Sequence, residues 1–219
     1  MMGSDSLPTT ISKPAGIPVF PPHDDVAGDC LLRRLLAQQP WRAEIDWPKG
    51  FEGGIAHRLD TSTSGAMLLA DSVEELEKIR SHFRDHSFVK TYLFLSAGDV
   101  PWDRNTCDKP IAHDPRKKGR MIVQRGKNTP HRGKWYPAQT RFERIGGRLW
   151  RATMRSGVTH QIRAHAAFVG IAILGDYRYG GGPTPPDAPP GLSFFLHHLG
   201  LRGPNGLVTD PVAKPEWAA

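Results

Sequence analysis

The stretch GIAHRLDTSTSGAMLLA, residues 54–70, sets one carboxylate, Asp60, between an arginine and a run of small hydroxyl residues. Such an acid has two uses. It can form a turn, because its side chain accepts backbone N–H bonds from the residues that follow. It can also be a reagent that takes a proton or attacks carbon. Arg58 stands two residues earlier, on the same side of an extended segment, where it could pair with the acid. Gly65 ends the hydroxyl run and permits a tight backbone beside a ligand.

Other reactive types lie further along. Tyr92 sits in the alternating segment KTYLFLSAG (90–98), opposite Leu93 and Leu95. Arg163 lies in THQIRAHAAFVG (159–170), whose other face carries Ile162, Ala166 and Val169. A half-buried tyrosine and a salt-bridged arginine are the plain readings of these two. The 10 histidines invite a metal. However, His160 and His165 are about 140° apart on a helix, and His197 and His198 face opposite sides of a strand. No HExxH, GxSxG or GxxxxGK[ST] motif occurs, which argues against zinc hydrolysis, a serine elbow and nucleotide hydrolysis. Cys30 and Cys107 form no CxxC pair. The expectation is no metal and no cofactor.

The elements that must position these groups are short. GDCLLRRLLAQQP (28–40) predicts a helix capped by Asp29, with Leu31, Leu32, Leu35 and Leu36 on one face. AMLLA (66–70) predicts a buried strand. DSVEELEKIRSHFRDH (71–86) predicts a second helix, with Ser72 and Glu75 at capping-box spacing and a stripe of Val73, Leu76, Ile79 and Phe83. Gly146-Gly147 between AQTRFERI and RLWRATM predicts a hairpin. Residues 159–170 predict a short helix capped by Thr159 and stopped by Gly170, and SFFLHHLGL (193–201) a final strand. Few helices among many strands, with 23 glycines and 20 prolines, indicate an α+β fold with a mixed, largely antiparallel sheet.

The net charge is +7. From Pro115 to Tyr136 stand Arg116, Lys117, Lys118, Arg120, Arg125, Lys127, Arg132 and Lys134, with no acid among them. That segment reads as a phosphate-gripping loop, ending in Trp135 and Tyr136 that can stack on a base. GGPTPPDAPPG (181–191) reads as a Pro-rich loop. No signal peptide and no apolar run of spanning length is visible, so a cytoplasmic protein is expected.

Taken together these pieces resemble the RluA group of RNA pseudouridine synthases. HRLDTSTSG resembles that family's HRLDxxTSG signature, SKPAGIPVFP its opening KPAG strand and KTYL its KxY motif. THQIRAHAAFVGIAILGDYRYG (159–180) is similar to its HQIRxHxxxxGxPIxGDxxYG block, and LHHLGL to its closing strand. The five blocks run in the family's order from residue 13 to about 208. The resemblance implies one catalytic domain over 1–219, with no separate N-terminal RNA-binding domain, acting as a monomer on ribosomal or transfer RNA. It implies Asp60 as the catalytic aspartate, either attacking the ribose carbon or removing a ribose proton. Arg163 would hold that carboxylate ionised, Tyr92 would pack on the target base, and Arg58 would enter the RNA where the uridine leaves. The isomerisation neither gains nor loses atoms, which accords with the absence of cofactor motifs. Val158, Ala172, His198 and the enlarged 181–191 loop depart from the family pattern. The rival readings are a non-catalytic RNA-binding protein that kept this fold, and a hydrolytic RNA enzyme using His160 or His197.

Overall fold

The computed structural model describes residues 8–22, 27–184, 186, 188, 192–204, 209 and 212–218. Five residues of the Pro-rich stretch 181–191 lie outside these, as do residues 205–208 at the end of the last block. The strands are β1 (Thr9–Lys13), β2 (Ser64–Leu69), β3 (Val89–Leu95), β4 (Arg104–Cys107), β5 (Ile111–His113), β6 (Met121–Val123), β7 (Arg132–Tyr136), β8 (Thr140–Gly146), β9 (Leu149–Met154) and β10 (Leu196–Arg202). The helices are α1 (Leu31–Gln38), α2 (Val73–Arg84) and α3 (Gln161–Phe168). Seven strands form a sheet in the order β1-β2-β10-β3-β9-β8-β4, and three form another in the order β6-β5-β7. The chain has the α+β fold that the pattern of elements implies.

The chain divides into two compact units. One comprises the described residues up to Lys90 together with His198–Lys214; the other comprises Thr91–His197 and the residues from Pro215. In the first unit, β1 and β2 pair antiparallel with Lys13 opposite Gly65. Residues 66–70 are all fully buried. Of these, Leu68 and Ala70 pack with Leu76, Ile79, Phe88 and Leu201 in a core that also takes in Trp47 and has Phe83 packed against it. The α2 stripe is therefore real at Leu76, Ile79 and Phe83, but Val73 is 41% exposed, because the first turn of the helix extends past that core. Ser72 caps α2 by accepting the Glu75 amide at 3.1 Å. The Glu75 carboxylate reaches one residue beyond the usual reciprocal position and accepts the Asp71 amide at 2.7 Å.

Two caps differ from the sequence expectation. The N-cap of α1 is Cys30, and Asp29 instead binds the Nε of Arg34 at 3.0 Å. The N-cap of α3 is His160, with left-handed backbone at φ 55°, not Thr159. Left-handed backbone suits the short polar and imidazole side chains better than β-branched threonine.

In the second unit, β8 and β9 form the hairpin expected at Gly146-Gly147. Trp150, fully buried, donates to Ser96 Oγ at 3.2 Å. The basic segment is not one loop: it contributes strands β6 and β7 to the three-stranded sheet built on β5. Its alternating MIV and RGKWY runs have strand character that the density of charge obscures.

Gly65 is fixed by close approach. A Cβ there would lie 2.1 Å from the His198 carbonyl oxygen, at φ 120°. Gly65→Ala is expected to cost at least about 2 kcal/mol. Gly16→Ala, at φ 88° with nothing within 4 Å, should cost only about 1 kcal/mol of backbone strain. Denaturant unfolding of both variants at one pH tests the contrast; equal losses would show that contact with His198 does not set the requirement at 65.

Candidate active site

Asp60 opens a turn in the first unit: the Thr63 amide donates to its main-chain oxygen at 3.0 Å. The turn is thus made by the backbone. It is held from β1, because Lys13 Nζ donates to the Thr61 carbonyl at 3.1 Å and the Gly16 amide donates to the same oxygen at 2.9 Å. Lys13 has no exposed surface, and its ammonium also donates to Pro14 O and Ile17 O, both at 2.8 Å. Three acceptors saturate its three protons. Burial lowers the Lys13 pKa to about 8, and the attraction of Asp60 opposes that fall. Arg58, by contrast, is exposed to solvent. Asp60 itself is half-buried.

His57 explains why HRLD keeps its course. Its Nε2 accepts the Leu68 amide at 3.1 Å, and the Ala56 amide donates to Leu68 O at 3.0 Å. The segment before Asp60 is thereby pinned along β2. Burial, then the neighbouring His198 and Lys90, push the His57 pKa well below 6.5, so the ring is neutral, as an acceptor must be. His198 Nδ1 donates to Ala66 O at 2.7 Å, which gives this departure from the family pattern a structural use.

The second unit carries Tyr92 and Arg163. Tyr92 is 6% exposed, on the β3 face that also holds Phe94. Arg163 is 9% exposed, and the carboxylate of Asp176, 2% exposed, receives it in a two-pronged pair: Nε to Oδ2 at 2.7 Å and Nη2 to Oδ1 at 2.9 Å. The guanidinium also lies 5.1 Å from the Tyr179 ring and 5.3 Å from that of Phe194. Gln161 binds on both sides. Its Oε1 accepts from Ser156 Oγ at 2.9 Å and the Val158 amide at 3.2 Å, while its Nε2 donates to Gln139 O at 2.9 Å and Thr140 Oγ1 at 3.1 Å. Because position 158 is read through its amide, valine there leaves this contact intact. Lys13, His57, Asp176 and Tyr179 escaped the sequence reading as individual residues. The signal for them was faint: a lone lysine ending a short polar strand, TTISK, and an aspartate directly after a glycine turn.

Residues 9–168 match the family described as RNA pseudouridylate synthase. The chain belongs to that family, in its RluA-type branch. It is 35% identical over 131 residues to RNA pseudouridine synthase 2, chloroplastic, of Oryza sativa, covering 58% of this chain and 29% of that one. It is 32% identical over 181 residues to ribosomal large subunit pseudouridine synthase D of Pasteurella multocida, covering 80% and 51%. The chain thus spans about half or less of these relatives' length. Among solved structures, human RNA Pseudouridylate Synthase Domain Containing 4 superposes with a TM-score of 0.69 at 22% identity, covering 99% of this chain and 89% of that one. This last likeness concerns the fold. Within the pseudouridylate synthase family pattern, the KPAG and HRLD blocks are the two strands of contact around Thr61, and the HQIR and GDxxYG blocks meet in the Arg163–Asp176 pair. Among the described residues, no group of three metal-binding side chains is present. Among the described residues, no helix is long and apolar enough to cross a membrane.

Lys90, 7% exposed, lies with its ammonium 5.5 Å from the centre of the Phe83 ring, and burial lowers its pKa to about 8. The unfolded chain holds that proton up to 10.5. The burial penalty of the charge is therefore complete below pH 8 and fades as pH rises from 8 to 10.5. Lys90→Met is expected to raise stability by about 2 kcal/mol at pH 7, with the gain shrinking toward zero near pH 10. Urea unfolding of both proteins at pH 7 and pH 9.5 measures it; a gain independent of pH would refute the buried-charge account.

Proposed function

We propose that this chain is an RNA pseudouridine synthase that converts specific uridines of ribosomal or transfer RNA to pseudouridine, with Asp60 as its catalytic carboxylate. The observation that carries the reading is the family's HRLD turn, intact and held by a buried lysine whose charge attracts Asp60. Asp60 cleaves the bond from ribose to base nitrogen, the base turns, and it rejoins through carbon. Tyr92 supplies an aromatic face for the base, and Arg163 is the further substrate-binding residue, its guanidinium held by Asp176. Arg58, exposed, is available to the RNA. A stacked uridine must first be flipped out, at a cost of a few kcal/mol. The relatives named for the large ribosomal subunit make its RNA the first substrate to try. A monomer in the cytoplasm is the working picture.

Asp60→Asn keeps the shape and removes the charge. It is expected to lower tritium release from RNA labelled at uridine C5 by more than about a thousandfold, with RNA affinity nearly unchanged. Activity within tenfold of wild type would overturn the assignment. A wild type that binds RNA yet releases no tritium would favour the non-catalytic alternative.

The basic segment is read as the RNA backbone contact. Arg116, Lys117 and Lys118 are exposed, whereas Arg120 is partly buried and faces Asp114 at 3.7 Å. Replacing Arg116, Lys117 and Lys118 with alanine should weaken RNA binding and flatten the slope of log affinity against log salt by about two units. An unchanged slope would mean that these cations meet only solvent.

A further inference from the structure

The turn Asp176–Gly180 touches two functional parts of the second unit at once. At its first residue, Asp176 holds Arg163 by both oxygens. At its third and fourth residues it grips the start of the basic segment. Arg178 Nη1 donates to Gly119 O at 2.6 Å, and the Tyr179 hydroxyl accepts the Met121 amide at 2.8 Å. The same hydroxyl lies 3.0 Å from His160 Nδ1, at the N-cap of the helix that carries Arg163. The Tyr179 ring lies 5.5 Å from the Arg120 guanidinium on one account and 5.1 Å from that of Arg163 on the other. The turn itself is stiff: the Tyr179 and Gly181 amides both donate to Asp176 O, at 3.0 and 2.8 Å. A Cβ at Gly175 would meet Ser193 O at 1.9 Å, so the backbone just before the turn lies hard against residue 193. Residues 118–121 and Arg163 are thus joined to the same turn.

We infer that Arg178 and Tyr179 are positioning residues for the isomerisation: they link RNA engaged on the basic three-stranded sheet to the placement of Arg163. The inference rests on the synthase reading above. Arg178 is exposed, and the hydrogen bonds of an exposed side chain add little to stability. Arg178, outside the basic segment, binds two of that segment's backbone carbonyls, Lys118 O at 3.4 Å and Gly119 O at 2.6 Å, and so fixes a shape.

The test uses the full chain and a large-subunit ribosomal RNA transcript labelled at uridine C5. Arg178→Ala is expected to lower the single-turnover rate at saturating transcript about tenfold, with RNA affinity within about threefold and the thermal midpoint unchanged. Arg178→Lys, which keeps a donor for Gly119 O, should recover most of the rate. Tyr179→Phe, which keeps the ring and loses the hydroxyl, should act in the same direction as Arg178→Ala. A residue that merely packs would leave the saturated rate untouched, and that result would overturn the inference. If wild type releases no tritium, the synthase reading fails, and the link is judged by a second measurement. In the ¹⁵N spectrum, the Arg163 Nε–H resonance should move when an unmodified RNA hairpin binds wild type, and stay still in Arg178→Ala. An equal response in both proteins, or none in wild type, would refute the link.

Discussion

A cation taken out of water must be given acceptors, and this constraint organises both units. Lys13 and Arg42 are 0% and 1% exposed, and Arg163 is 9% exposed. Leaving any of them unpaired would cost several kcal/mol. The chain meets the demand by bringing distant segments to each one. Lys13 gathers residues 14, 17 and 61. Arg42 gathers Gly53 O at 3.0 Å, Ala70 O and the Asp71 carboxylate. Arg163 gathers Asp176. In the first unit, the loop that carries Asp60 is fixed by what Lys13 and its neighbour Gly16 require. In the second, the GDYRYG turn is fixed by what Arg163 requires.

The choice between lysine and arginine follows from the acceptors. Lys13 meets three carbonyl oxygens in separate directions, which suits an ammonium with three rotatable donors. Arg163 meets a planar carboxylate, which matches the parallel donors of a guanidinium. The two differ in the charge they leave behind. Asp176 compensates Arg163 within the second unit, whereas carbonyl dipoles solvate Lys13 without cancelling it. Its charge therefore extends to Asp60, although burial works to remove its proton. The carboxylate thus stands in a field made by a residue that never reaches the surface.

Much of this was legible in the sequence wherever period and punctuation agreed. The buried strand at 66–70, the α2 stripe at Leu76 and Ile79, and the hairpin at Gly146-Gly147 all follow from local pattern. The misses occur where a residue answers to a partner or a backbone conformation that the local pattern does not show. Asp29 gives up its cap for Arg34, and Thr159 yields its place to His160. The roles of Lys13 and Asp176 depend on contacts 48 and 13 residues away, which no window of local sequence reveals.

The histidines show the same economy in a neutral form. A neutral imidazole donates on one side and accepts on the other, so it can join two backbone segments without importing charge. His165 does this in the second unit. Its Nε2 donates to Lys109 O at 2.9 Å and its Nδ1 accepts from the Thr140 hydroxyl at 2.9 Å, while that oxygen accepts in turn from Gln161. Burial pushes the His165 pKa below 6.5, which preserves the acceptor nitrogen. His57 serves Leu68 in the same way in the first unit. The HRLD and HQIR blocks therefore each combine a reactive or charged residue with a neutral histidine that ties it to the sheet framework. A metal would need the very lone pairs that these rings have already committed to the backbone and to Thr140.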